Sequence, residues 1–491
     1  MTRKMNRRTL LTGALGAASA LAPAASQGAD PNSGTYKLVR EIPAEDGYDL
    51  IVAGGGPAGV AAAICAGRLG AKVLLVESSG CMGGMGTSGL VTAFDPMSDG
   101  KRTLVKGFMN EVVTTLYKRG FLGKQVTPKF WEASYMTWTP FNVEGYKLVL
   151  DEFAVAAGVE VRFFTRVIDA DVAPGNTKLN GVVLSNIEGY RYVKAKTFVD
   201  ATGDAVLANL CGVTCREAGR DTPHIMAATL CSLFANITDW SHRGKQHEML
   251  EKAIADGLFT QPDQHLPGMS QIGETTGYLN GGHIYELNAL RCKSLTDGMM
   301  LGRRIAQEYL KFYRKYIPGF ENMEHVTTAS VMGVRESRRI LGEYELLEHD
   351  FITRREFPDQ IGVFNKSIDI HPYNSSQEEY ERFLREYERA GRLNPGEYFG
   401  IPYGVIAPRG WTNLWVAGRC ASADVKVHGS IRVQPAASMM GQAAGTAAVQ
   451  SIKTGQPAND IDTAQLVETL RSQGAYLPQE RVSKKMTRAK A

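Results

Sequence analysis

The chain has 491 residues, 44% of them hydrophobic, with 55 Lys and Arg against 51 Asp and Glu and a net charge of +4. That length allows two packed domains or one large one, and the composition is that of a folded globular protein. Arg3, Lys4, Arg7 and Arg8 lie in residues 1–29, which hold no acid, so the rest of the chain is charge-balanced; nothing in that balance points to nucleic acid or another polyanion as a partner.

The opening stretch "NRRTLLTGALGAASALAPAA" sets Arg7 and Arg8 before an apolar run from Leu10 to Ala22, followed by small residues at Ala24 and Ala25. A basic start, an apolar middle and small residues suited to cleavage are the three parts of an export signal. The run is shorter than the ~20 apolar residues that span a bilayer. The arginine pair matches the bacterial twin-arginine signal. The expectation is a periplasmic or otherwise exported protein, handled by the twin-arginine machinery and without a stable membrane span.

Residues 26–47 are polar and read as a spacer. "YDLIVAGGGPAGVAAAICAGRLGAKVLLVE" then predicts strand, Ala-rich helix and strand. Lys147 to Val172 repeats helix then strand, and "KLNGVVLSNIEGYRYVKAKTFVDATGD" reads as antiparallel strands leading into a core strand. Residues 216–400 mix helices, strands and polar loops. "NLWVAGRCAS" returns to strand-and-glycine character, and "SMMGQAAGTAAVQSIKTG" is a helix of small residues. The predicted fold is α/β: a Rossmann-like domain, with a parallel sheet plus an antiparallel meander, interrupted by an inserted α+β cap. Its expected parts are a signal at 1–29, the nucleotide domain at 30–215 and 401–458, the cap at 216–400, and a C-terminal helix with a basic tail at 459–491.

Gly54, Gly56 and Gly59 form a GxGxxG loop between the first strand and the helix. The first glycine permits the tight turn, the second lets backbone approach a pyrophosphate at the helix N-terminus, and the third allows close helix–strand packing. Pro57 and Ala58 open that helix, and Glu77 at the end of the second strand is placed to bond ribose hydroxyls. Spacing alone does not separate FAD from NAD. The glycine-rich "GCMGGMGTSG" after Glu77 would let backbone lie against a large flat ligand, and "FVDATGDA" and "NLWVAGRCASADVKVHGSIRVQPAASMMGQAAG" would supply other walls. The seven cysteines form no CxxC and show no zinc spacing, so no metal site is expected; Cys211 and Cys215 are near enough in sequence to pair after export, but small buried apolar residues is the favoured reading.

Together "GGGPAGVAAA", "MGGMGTSGLV", "FVDATGDA", "GVRESRRILGEYEL" and "NLWVAGRCASA…HGSIRVQPAASMMGQAAGTAA" resemble the bacterial FAD-dependent oxidoreductases related to the fumarate-reductase and glutathione-reductase flavoproteins, from about Tyr48 to Gly455. The resemblance implies FAD as cofactor and a cap over the flavin. It implies that Gly54, Gly56 and Gly59 hold the pyrophosphate and Glu77 the ribose. Gly84, Met85, Gly86 and Thr87 would line the flavin, and Val167 would offer backbone to adenine. Thr202, Gly203 and Asp204 would close the nucleotide side, and Gly418 and Arg419 would approach the pyrophosphate and ribityl chain. The helix from about Pro435, with Gly441 and Gln442, would aim its N-terminus at the pyrimidine edge of the ring, favouring negative charge there.

There is no second complete strand–GxGxxG–helix unit for a nicotinamide cofactor, no closely spaced redox-active cysteine pair and no haem CxxCH. Electrons therefore pass between flavin, a small-molecule substrate and an external acceptor such as a quinone, a cytochrome or dioxygen. On the substrate side, Arg335, Arg338 and Arg339 suit a carboxylate, or pair structurally with Glu336. His283 and His428 are candidate proton acceptors, His371 a further one, and Arg432 suits a substrate anion or the flavin edge. The expected activity is a dehydrogenase passing hydride from a small organic substrate to flavin N5. The alternatives are a fumarate-reductase-like reductase of an unsaturated acid, and a non-catalytic flavin-binding electron carrier.

Overall fold

The structure, a computed structural model, describes residues 34–478 except 176 and 387–390. The arginine pair, its apolar run and the basic tail lie outside the described residues. The chain divides into a short unit ending at Glu41 and a large one that begins at Ile42. Every helix and strand among the described residues belongs to the large unit.

The strand β1 (Ala44–Ala53) feeds the helix α1 (Pro57–Arg68) and then β2 (Val73–Val76). The inner ends of both strands are unbroken apolar runs, as strands covered on both faces require. A helix at Val143–Ala156, capped by the Asn142 side chain, leads to a third parallel strand, Glu160–Arg162, beside β2. On the other side β1 pairs in parallel with the second half of the long strand Gly189–Asp200, which in turn pairs with Leu414–Val416. Registers bring Arg162, Val76, Ala53, Asp200 and Val416 into line, so five parallel strands end at one edge. That edge is where open α/β sheets bind ligands. The first half of Gly189–Asp200 belongs to an antiparallel meander with Leu179–Asn186 and Arg166–Val172.

The helix Gln434–Thr454 is buried along nearly its whole length and lies against α1. A Cβ on Gly441 would sit 2.0 Å from the Ala58 carbonyl oxygen, and one on Gly445 would sit 2.1 Å from that of Ala62. Two glycines four residues apart on one face let these helices approach to backbone contact. Buried Ala58 and Ala62 of α1 supply the other half of that contact.

A second core builds around a four-stranded antiparallel sheet in the order Met269–Gln271, Gly277–Leu279, Ser232–Ala235, Glu324–Thr328. The helix Cys292–Tyr316 packs Ile305, Tyr309, Phe312 and Tyr313 into it, with Phe234 and Phe320. Arg338–Ile340 returns to pair with Cys215–Glu217. Cys211 and Cys215 are both unpaired. Among the described residues no helix is long and apolar enough to cross a membrane.

Candidate active site

Gly54 follows β1 at φ +95°, a conformation that L side chains rarely adopt, and its amide donates to the Val76 carbonyl at 2.8 Å. A Cβ on Gly59 would stand 1.8 Å from the Gly54 carbonyl oxygen, so α1 starts pressed against the strand end. Gly56 is the opposite case: a Cβ there would meet nothing within 4 Å. The loop thus leaves a vacant approach to backbone at the position where a pyrophosphate would lie on the N-terminus of α1. Pro57 occupies the first turn, where its missing N–H does no harm.

Glu77 is buried at the end of β2. Its Oε2 accepts the Gly55 N–H at 2.7 Å and its Oε1 accepts the Ser79 N–H at 2.7 Å. Oε1 also accepts from Ser78 Oγ at 3.2 Å; a carboxylate has about four acceptor positions, so Oε2 retains capacity for a ribose hydroxyl. Thr165 donates its backbone N–H to the Glu77 carbonyl, which brings the strand bearing Val167 to the same corner; the Val167 side chain packs among Ile51, Ala53 and Val76. The 80–89 loop is fastened to the glycine loop by Gly83 N–H to the Gly55 carbonyl at 2.8 Å. Gly84 to Gly86, with Met85 between them, form a short 3-10 turn, and Thr87 Oγ1 donates to the Met82 carbonyl at 2.7 Å. Ser330 of the second core donates its N–H to Ser88 O at 2.9 Å, setting that region over the turn.

Beyond the strand Gly189–Asp200, buried Asp200 accepts from the Thr202 N–H and hydroxyl and from the Ala208 N–H. It shapes the Thr202–Gly203 turn and anchors the helix after it. Gly418 continues from Leu414–Val416 at φ +89°, with a Cβ position 3.0 Å from that of Ala58. Val433, the residue capping Gln434–Thr454, offers no side-chain oxygen, so the first turn of that 21-residue helix keeps uncapped N–H groups. A vacant glycine approach, an acid with spare lone pairs, a second loop bound to the first and an uncapped helix start fit FAD.

Four residues expected at the cofactor make contacts within the protein. Asp204 and Arg419 bind each other at 2.8 Å, with Ser337 Oγ on both. Gln442 accepts the Phe108 N–H and donates to Gln473, so it ties two helices to the core. Gly441 serves the backbone contact between its helix and Ala58.

The substrate side is a buried polar chain. Asp263 Oδ2 lies 3.0 Å from His283 Nδ1 and accepts the His283 backbone N–H at 3.1 Å. His283 Nε2 faces His371 Nδ1 at 2.8 Å, and His371 Nε2 lies 3.1 Å from Asp369. Asp369 meets Arg432 at 3.3 Å and Lys366 at 3.8 Å. His265 stacks on His283 at 5.0 Å and stands edge-on to His371 at 4.9 Å. Burial, then the neighbouring His283, pushes His265 down to about 3. Burial, then the charge of Arg335, holds His371 well below the usual range. Arg432 is two residues ahead of Gln434–Thr454, so the chain runs from the start of that helix into the second core.

Arg335 is buried there too. Its Nη1 donates to the Ala227 carbonyl and to Thr229 Oγ1, and burial, then Arg432, lowers it to about 10. Glu336 accepts the Met226 N–H and meets Arg339 at 3.5 Å, and Arg339 also bonds Asp221, so this acid and this arginine are structural. His428 is corrected as a proton acceptor. Its Nε2 bonds the Arg419 carbonyl at 2.8 Å, and burial among Arg339, Arg432 and Arg419 holds it well below the normal range. Sequence reasoning missed Asp263, His265 and Asp369. Their signal was a repeated Asp-x-His, in "PDQHLP" and "IDIHPY".

Fold and loops together define a flavin-binding oxidoreductase, an enzyme with FAD as cofactor. The family model described as FAD dependent oxidoreductase matches residues 49–470, and the chain belongs to that family. No curated protein matches it in sequence. Among solved structures it is similar to a geranylgeranyl bacteriochlorophyll reductase-like protein from Thermoplasma acidophilum, at 14% identity, covering 88% of this chain and 84% of that one, with a TM-score of 0.45. It is also similar to the flavin-dependent brominase Bmp2, at 14% identity, 87% and 83% coverage and a TM-score of 0.44. A third is p-nitrophenol 4-monooxygenase from Pseudomonas putida, at 11% identity, 89% and 90% coverage and a TM-score of 0.41. These likenesses concern the fold alone and assign no substrate. Membership in a family of oxidoreductases sets aside the non-catalytic carrier.

Proposed function

We propose that this chain is an FAD-dependent dehydrogenase acting on a small polar organic substrate held between the flavin and the Asp263–His283–His371–Asp369 chain. The observation that carries it is the meeting of that chain with Arg432 directly ahead of the uncapped helix Gln434–Thr454. Bound FAD supplies the redox chemistry, accepting hydride at N5, and an external acceptor such as a quinone, cytochrome or dioxygen reoxidises it. Arg335 and Arg432 offer guanidinium charge to a carboxylate or other polar oxygen. The facing imidazole pair of His283 and His371 accepts the proton released when an O–H bond of the substrate is broken. Burial keeps competing water away from these groups.

Anaerobic mixing with a panel of hydroxylated and carboxylated compounds tests this. A substrate bleaches the yellow flavin absorbance, and a panel on which no compound does so overturns the reading. The buried arginines also favour the reverse direction, reduction of an unsaturated acid in the manner of fumarate reductase. In that case photoreduced enzyme regains its colour when the acid is added. We further propose export by the twin-arginine route, supported by Arg7 and Arg8 and by a cofactor site made from both ends of the chain. Replacing both with Lys should retain FAD-loaded protein in the cytoplasm, and undiminished export would refute it.

A further inference from the structure

We propose that His265, His283 and His371 form a binding site for one divalent first-row transition metal ion. Each of the three offers a ring nitrogen lying within 4.8 Å of the others, and His283 and His371 are buried. They come from three separate segments, a loop, a two-residue strand and a second loop, so nothing local brings them together.

The geometry of the facing rings is the main reason. Nε2 of His371 lies 3.1 Å from Asp369, and Nδ1 of His283 lies 3.0 Å from Asp263. A carboxylate behind an imidazole orients the ring as a metal ligand. The inner nitrogens, Nε2 of His283 and Nδ1 of His371, are 2.8 Å apart. His265 Nδ1 is buried and, like His283 Nδ1, has no hydrogen-bond partner. A third imidazole beside a facing pair, with its own buried nitrogen unpartnered, fits a metal ion better than a proton shared by two rings.

Imidazole ligands suit zinc, iron, copper and nickel, and three of them leave positions open for water or substrate. At Zn–N distances of ~2.0–2.1 Å, tetrahedral nitrogens are about 3.3 Å apart. On binding, the His283–His371 pair therefore opens by about 0.5 Å from 2.8 Å, and the widest separation, up to 4.8 Å, closes by about 1.5 Å, movements within ordinary side-chain torsion. An ion held there would lie within the chain of side chains that the proposed function sets against the substrate. The inference deepens that reading, replacing a bare proton acceptor with an ion that binds the substrate oxygen. It rests on that reading for the substrate only, not for the metal.

The test uses the FAD-loaded full-length protein without substrate. Elemental analysis after growth with Zn2+ and dialysis should find about one ion per flavin, as a three-imidazole site retains. After chelation, Co2+ titrated calorimetrically should bind with that stoichiometry. His265→Ala should bind Co2+ at least ~100-fold more weakly, and Asp263→Asn ~10–100-fold more weakly, as loss of a ligand or its supporting carboxylate predicts. Both variants should keep the wild-type flavin spectrum, which separates metal loss from unfolding. FAD-replete protein that retains no metal, and binds Co2+ no better than His265→Ala, overturns the proposal. That result leaves the flavin-bleaching test standing, and a failure to bleach leaves the metal measurement standing.

Discussion

Replacing Gly56 with Ala should move stability and cofactor affinity in opposite directions. Gly56 has φ −68° and ψ −178°, a conformation open to any L residue, and its missing Cβ faces open space. In the apoprotein the methyl touches nothing, and the loss of unfolded-chain freedom should raise stability by ~0.4–1 kcal/mol. With FAD present, the methyl stands where the pyrophosphate must reach backbone N–H groups. Loss of one or two charge-assisted hydrogen bonds costs about 2–4 kcal/mol, or roughly 30- to 700-fold in Kd. Gly59→Ala provides the contrast. Its Cβ would lie 1.8 Å from the Gly54 carbonyl oxygen, so it should destabilise the apoprotein itself by ~1–3 kcal/mol. Apoprotein from riboflavin-starved cells, melted thermally and then titrated with FAD by flavin fluorescence, reads both quantities. A Gly56→Ala apoprotein as unstable as Gly59→Ala, or one with wild-type FAD affinity, would refute the reasoning.

Asp200→Ala strands the buried N–H groups of Thr202 and Ala208, at ~1–3 kcal/mol each, and should lower the melting temperature by several degrees; an unchanged melt would show that these bonds are dispensable. His428 remains neutral in the folded protein below the pH at which the unfolded chain protonates it, near 6.5. The unfolded state then holds the extra proton, so stability is full above about pH 6.5 and falls by about 1.4 kcal/mol per pH unit below it. His265 and His371, also held down by burial, add slopes of their own, so in His428→Gln the acid limb of a denaturation series should be shallower by about 1.4 kcal/mol per pH unit, and parallel limbs for variant and wild type would exclude the assignment.

The strand–glycine–helix–strand unit was legible because each of its determinants acts within a few residues of its neighbours. Apolar runs set the strands, Gly54 the turn and Gly59 the packing. The meander and the C-terminal helix emerged from periodicity in the same way. The contacts of Gln442, Asp204 and Arg419 were not legible, because their partners include Phe108, Gln473 and Ser337, which no local pattern connects to them. His428 looked reactive by position, but burial, and then the charges of Arg339 and Arg432, hold it neutral, and these arrive by folding. The histidine cluster was the least legible part. His283 and His371 are 88 residues apart, and their meeting depends on how the second core closes. The repeated Asp-x-His marked the segments of His265 and His371, but not that of His283.

The contact of Ala58 with Gly441 also governs how the protein is made. Ala58 leaves the ribosome ~380 residues before its partner, an interval of roughly 20–80 s at ~5–20 residues per second. Throughout that interval α1 has its alanine face without its final neighbour. A nascent chain stopped short of residue 434 lacks the whole helix that covers it. Early termination should therefore yield sticky, flavin-free fragments, and the last tenth of the message decides whether the first glycine loop ever receives its ligand.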